Sequence, residues 1–124
     1  MRIDVMSKIP IYEQIIGQIE KYVLNGVYSK DEAIPSVRGL SNEISVNPNT
    51  IQKAYTALSN EGILFSVPGK GLFISDDAEE KIISKHREDN IKDLTVLLKK
   101  LRGFGVEKAE ILAIAEKIYE EENL

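Results

Sequence analysis

The segment Asn47-Pro48-Asn49-Thr50-Ile51-Gln52-Lys53 gathers side chains suited to directional hydrogen bonding. The Asn and Gln amides can make paired bonds to the edge of adenine, a Thr methyl can touch that of thymine, and Lys can meet guanine or phosphate. The chemistry these types support is non-covalent readout of a DNA major groove. A second reading fits the same residues: Asn47 caps a helix, Pro48 opens its first turn, and the others are solvated. The segment alone leaves both open.

Catalysis has no comparable support. The single histidine, His86, lies between Lys85 and Arg87 in a charged helical stretch and reads as a surface residue; the chain has no cysteine, no Ser-His-Asp set and no His-Glu-x-x-His motif. Glu79-Glu80 and Glu120-Glu121-Glu122 read as helix-start and tail charges rather than metal ligands or paired catalytic carboxylates. Pro68-Gly69-Lys70-Gly71 lacks the spacing of a nucleotide-hydrolase phosphate loop and is followed by a strand pattern. Tyr12, Tyr22, Tyr28, Tyr55 and Phe65 read as core and rim aromatics, since single-strand binding needs exposed rings along a basic groove. No enzymatic activity, cofactor or metal is expected.

The elements that must position the polar segment follow from periodicity. From Pro10, in the first turn, a helix places Ile11, Ile15, Ile16, Ile19, Val23 and Leu24 on one face and stops at Asn25-Gly26. A shorter helix capped by Ser36 turns Val37, Leu40 and Ile44 inward, weakened slightly by Gly39. Only Ser45-Val46-Asn47 separates it from the third helix, which ends at Asn60-Glu61-Gly62, so that helix must start sharply, as in a tight helix-turn-helix. Two short apolar runs joined by Pro68-Gly69-Lys70-Gly71 then give a hairpin. The fold class is mainly α with a small β-hairpin: a winged helix-turn-helix domain over residues 1–76, followed by a C-terminal helical hairpin over 77–124.

In that second part, Ile83, Ile91, Leu94, Leu98 and Leu101 trace an apolar stripe. It breaks at Gly103-Phe104-Gly105 and resumes with Ile111, Leu112, Ala115, Ile118 and Tyr119. Two helices cannot enclose a core of their own, so the stripe must pack on the first domain or on another chain, and it is assigned to dimerisation with a second copy because two-fold dimers are the commonest oligomers.

The 124 residues carry a net charge of −4 and are 43% hydrophobic, which suits a soluble domain with an appendage. No apolar run is long enough for a membrane span, the N-terminus lacks a secretory signal, and the absence of cysteine fits a reducing compartment, so the cytoplasm is expected. Acidity argues against DNA as a partner, yet from Ser36 to Gly71 the cations Arg38, Lys53 and Lys70 nearly balance Glu43 and Glu61. Few cations predict a shallow salt dependence, well short of a slope of about −10.

Taken together, "IPSVRGLSNEISVNPNTIQKAYTALSNEGILFSVPGKGLFIS", preceded by "IPIYEQIIGQI", resembles the DNA-binding domain of the GntR family of bacterial transcription regulators over about Ile9 to Ser75. The short C-terminal part is similar to the two-helix dimerisation region of the YtrA subfamily. The resemblance implies that Arg38 contacts DNA, that Ser36 caps and meets a phosphate, and that Asn47, Asn49, Thr50, Gln52 and Lys53 make the third-helix contacts. Gly69 and Lys70 would make the wing contact. Pro48 and Gln52 stand where some relatives carry arginine, so their operators do not transfer. The implied function is a homodimeric repressor on a palindromic operator, with an effector left open. The rival expectation is a winged-helix protein-interaction module.

Overall fold

Pro10 sets the start of α1 (Ile11–Leu24) from the N-cap position, one residue ahead of the first turn where the sequence puts it. Its carbonyl accepts the Gln14 amide at 3.1 Å. α1 buries Ile15, Ile19 and Val23. Leu24, expected on that face, is 41% exposed: it lies about 100° around the helix from Val23, and the chain turns away at Asn25-Gly26 before another turn can cover it.

α2 (Val37–Ile44) begins at Ser36, whose Oγ accepts the Gly39 amide at 2.9 Å. A Cβ at Gly39 would stand 3.1 Å from that oxygen, so the glycine leaves space for the cap. The helix stops at Ser45, the only non-glycine residue among those described with positive φ, at 55°. That left-handed residue tightens the turn, and two bonds hold it: Val46 N–H to the Ser41 carbonyl at 3.3 Å and Ser41 Oγ to the Val46 carbonyl at 2.6 Å. α3 (Pro48–Asn60) follows at once, with Asn47 as cap and Pro48 at the start. It buries Ile51, Ala54, Tyr55 and Leu58, spaced three and four apart as one face requires.

β1 (Leu64–Val67) and β2 (Gly71–Ile74) pair antiparallel, with Leu64 opposite Ile74 and Val67 opposite Gly71. The hairpin base is tied to the helices by Ile63 N–H to the Leu58 carbonyl at 3.0 Å, and by Ile34 N–H to the Leu72 carbonyl at 2.9 Å. Ile34, in the loop before α2, is itself a core residue. α4 (Ala78–Gly103) and α5 (Lys108–Glu120) complete the order.

The structure, a computed structural model, describes residues 1–121, so Glu122 of the acidic tail lies outside the described residues. Two compact units are present, Met1–Lys85 and a second from His86 onward. Composition changes at Asp77, but Ala78 and Ile82 on α4 are fully buried in the core of the first unit. That core joins α1, α2, α3, the hairpin and the start of α4. In the second unit no residue of α5 is buried.

Candidate nucleic-acid interface

The start of α3 is built by backbone satisfaction. Asn47 Oδ1 accepts the Asn49 amide at 2.8 Å, and the Asn47 carbonyl accepts Thr50 N–H at 2.9 Å. Pro48 has no amide to satisfy. These bonds fix the first turn, from which Asn49, Gln52 and Lys53 are exposed and Thr50 is half-buried. Gln52 Nε2 donates to Thr56 Oγ1 at 3.1 Å. Lys53 Nζ sits 3.9 Å above the centroid of the Tyr12 ring. This cation–π contact between α3 and α1 holds the ammonium near the surface, a placement worth about 0.5–1 kcal/mol at an exposed site.

α3 is anchored from within. Tyr55 is buried and its hydroxyl donates to the Pro35 carbonyl at 2.7 Å, joining α3 to the residue before the α2 cap. Burial pushes the Tyr55 phenol well above the ordinary tyrosine range, with smaller contributions from Tyr28 and Glu43, so it stays protonated and donating. At its other end α3 meets a charge cluster. Lys85 Nζ lies 2.5 Å from the buried carboxylate of Glu20 on α1 and 2.8 Å from that of Glu61, the residue that closes α3. Burial alone lowers the Lys85 ammonium; its bonds to Glu20 and Glu61 reverse the effect and hold it above the ordinary lysine value.

Ser36 is occupied as the α2 cap, while Arg38, the second residue of α2, is exposed and has no ion pair among the described residues. Gly69 and Lys70 form the exposed hairpin tip: Lys70 N–H bonds the Val67 carbonyl at 2.9 Å, with Pro68 and Gly69 between and Gly69 at φ 76°. Proline then glycine at positive φ is a type II turn arrangement.

Of the residues assigned to dimerisation, Ile83 is exposed within the first unit, next to buried Ile82. Leu98, Leu101 and Ile111 are half-buried; Leu94, Leu112, Ala115, Ile118 and Tyr119 are exposed. Leu98, Val106, Ile111 and Leu112 line a groove of about 290 Å³, with Arg102 and Lys108 at its edge.

One feature of the sequence carried no recognisable signal. Residues 1–9 lack helical or strand periodicity, yet two glutamines of α1 fasten them down. Gln18 accepts the Arg2 amide at 3.0 Å and donates to the Arg2 carbonyl, and Gln14 does the same for Asp4, at 2.9 Å each way. The segment thereby forms one wall of a cleft of about 530 Å³ whose other wall includes Glu43, Val46, Asn47 and Thr50.

A family model described as "Bacterial regulatory proteins, gntR family" matches residues 11–74. The HTH-type transcriptional repressor YtrA of Bacillus subtilis is 42% identical over 83 residues, which cover 67% of this chain and 64% of that repressor; the match thus spans just under two thirds of the relative's length. A transcriptional regulator from Oenococcus oeni superposes with a TM-score of 0.77 at 30% identity, covering 94% of this chain and 97% of the other. The crystal structure of AraR(DBD) in complex with operator ORE1 matches 60% of this chain and 94% of its own, at TM-score 0.52 and 30% identity.

Proposed function

The chain belongs to the GntR family of bacterial regulatory proteins, and from that membership we propose that it is a non-catalytic, sequence-specific reader of duplex DNA that represses transcription as a homodimer. The observation that carries this reading is the start of α3: a cap and a proline fix the first turn while Asn49, Gln52 and Lys53 are left exposed. A helix so held can enter a major groove without ordering its own backbone on binding. Arg38 and the Gly69-Lys70 wing tip supply flanking contacts to the DNA backbone. The AraR complex with operator DNA supports the same use of this fold.

The second unit supports dimerisation. Leu94, Leu112 and Ile118 are each about half exposed or more, and Leu98, Val106, Ile111 and Leu112 line an apolar-sided groove beside them. A second copy covers such surface most economically by two-fold symmetry. Two α3 helices so joined read half-sites about 34 Å apart.

Selection from random duplex DNA, with wild type and Arg38→Ala run in parallel, tests the reading. The expected outcome is an inverted repeat with half-sites about one turn apart, enriched by wild type and depleted with the variant. If wild type enriches nothing at low salt, DNA reading is abandoned in favour of a protein-interaction module.

A further inference from the structure

We propose that the N-terminal segment is a DNA-binding arm, with Arg2 contacting a backbone phosphate beside the groove that α3 enters. The inference rests on the DNA-reading function proposed above and adds a contact outside the span matched by the family model, which begins at residue 11.

Two glutamine clamps hold the segment. The backbone N–H and C=O of Arg2 are both bonded by Gln18, and those of Asp4 by Gln14. A segment without secondary structure is ordinarily poorly ordered unless tied down; here the backbone polar groups of Arg2 and Asp4 are satisfied in pairs by side chains of α1. The clamped segment brings Arg2 to the same cleft as Asn47 and Thr50, the cap and first turn of α3. Arg2 is exposed and has no ion pair among the described residues. Glu43 is the one carboxylate lining the cleft, yet Arg2 makes no salt bridge with it.

A guanidinium anchored by its backbone and extended beside the reading turn suits a phosphate: its donors match phosphate oxygens two at a time, and it is less strongly hydrated than an ammonium. The reading face is otherwise poor in cations, since Arg38, Lys53 and Lys70 are its only ones from Ser36 to Gly71. One more cation per subunit is therefore a substantial share of the electrostatic grip. Pre-organisation by Gln18 matters because a loose arm would lose entropy on docking.

Fluorescence anisotropy of the full chain on a labelled duplex carrying the selected operator, across a salt series, tests the arm with Arg2→Ala, Arg2→Lys, Gln18→Ala and Arg38→Ala. Arg2→Ala is expected to weaken binding on the order of tenfold and to flatten the slope of log affinity against log salt by about 0.9 per subunit, with an unchanged melting temperature. Arg2→Lys should restore the slope, and Gln18→Ala should lose part of the affinity by freeing the arm. Wild-type affinity and slope in Arg2→Ala, alongside a weakened Arg38→Ala, overturn the arm and leave DNA reading intact. A shifted melting temperature with an unchanged slope assigns Arg2 to stability and also overturns it. Failure of wild type to bind any duplex removes both proposals together.

Discussion

At Asn47 the side-chain oxygen is committed to the Asn49 amide at 2.8 Å, while the exposed side-chain nitrogen has no hydrogen-bond partner among the described residues. The cap and the base contact proposed for Asn47 therefore call on different atoms, and one substitution separates them. Asn47→Ser keeps an oxygen that caps as well as asparagine does, so thermal unfolding should match wild type. It removes the amide nitrogen, so operator affinity should fall roughly fivefold, about 1 kcal/mol for one hydrogen bond. Unchanged affinity would leave Asn47 as a cap alone. Both helix caps were legible in the sequence because donor and acceptor lie within three residues of one another. The Lys53–Tyr12 contact was not, since it needs α1 and α3 to cross at a particular place. Arg2 was less legible still: its placement depends on Gln18, sixteen residues away, in a segment without periodicity.

Helices and hairpin followed closely from apolar spacing and from turn residues whose conformational needs are local. Sequence spacing did not reveal where α4 stops belonging to the first core, because Ala78 and Ile82 are ordinary members of a helical stripe until something packs on them. Lys85, the last residue of the first unit, shows what fixes that stretch: it holds the ends of α1 and α3 through Glu20 and Glu61. Glu20 has only 5% of its side chain exposed, so removing its cation is costly. Lys85→Met is expected to destabilise the first unit on the order of 3 kcal/mol, measured by urea unfolding. Glu20→Gln in the same chain should recover much of the loss, since the stranded charge is then gone. Additive losses in the double variant would count against the pair as the cause. Because the Lys85 value is raised, its contribution is complete below the ordinary lysine value of about 10.4 and is lost only as pH rises through the higher folded value. The cluster therefore stays closed throughout the neutral range, and stability should decline only in strong alkali.

For the molecule as a whole, the proposed dimer rests on the apolar surface of the second unit. α5 buries no residue, and Ile91, Leu94, Leu97, Leu112 and Ile118 are each roughly half exposed. A helix of 13 residues such as α5 is marginal in water without tertiary packing, which favours a partner surface for this unit. A second copy, the partner proposed above, is always present at equal concentration and would also supply a second α3 helix. Sedimentation equilibrium is expected to give twice the 13.9 kDa chain mass. Leu94→Glu, at a side chain more than half exposed in the single chain, should shift the mass toward one chain without unfolding the first unit. The same variant should retain weak binding to a single half-site but lose the gain from linking two, which commonly amounts to about a hundredfold or more. A wild type that sediments as one chain would remove the dimer, and full operator binding by a monomeric Leu94→Glu would show that the two halves act independently. Loss of mass and loss of affinity in parallel would tie the apolar stripe to DNA reading, because a charge placed far in sequence from every proposed DNA contact can weaken binding only by separating the two readers.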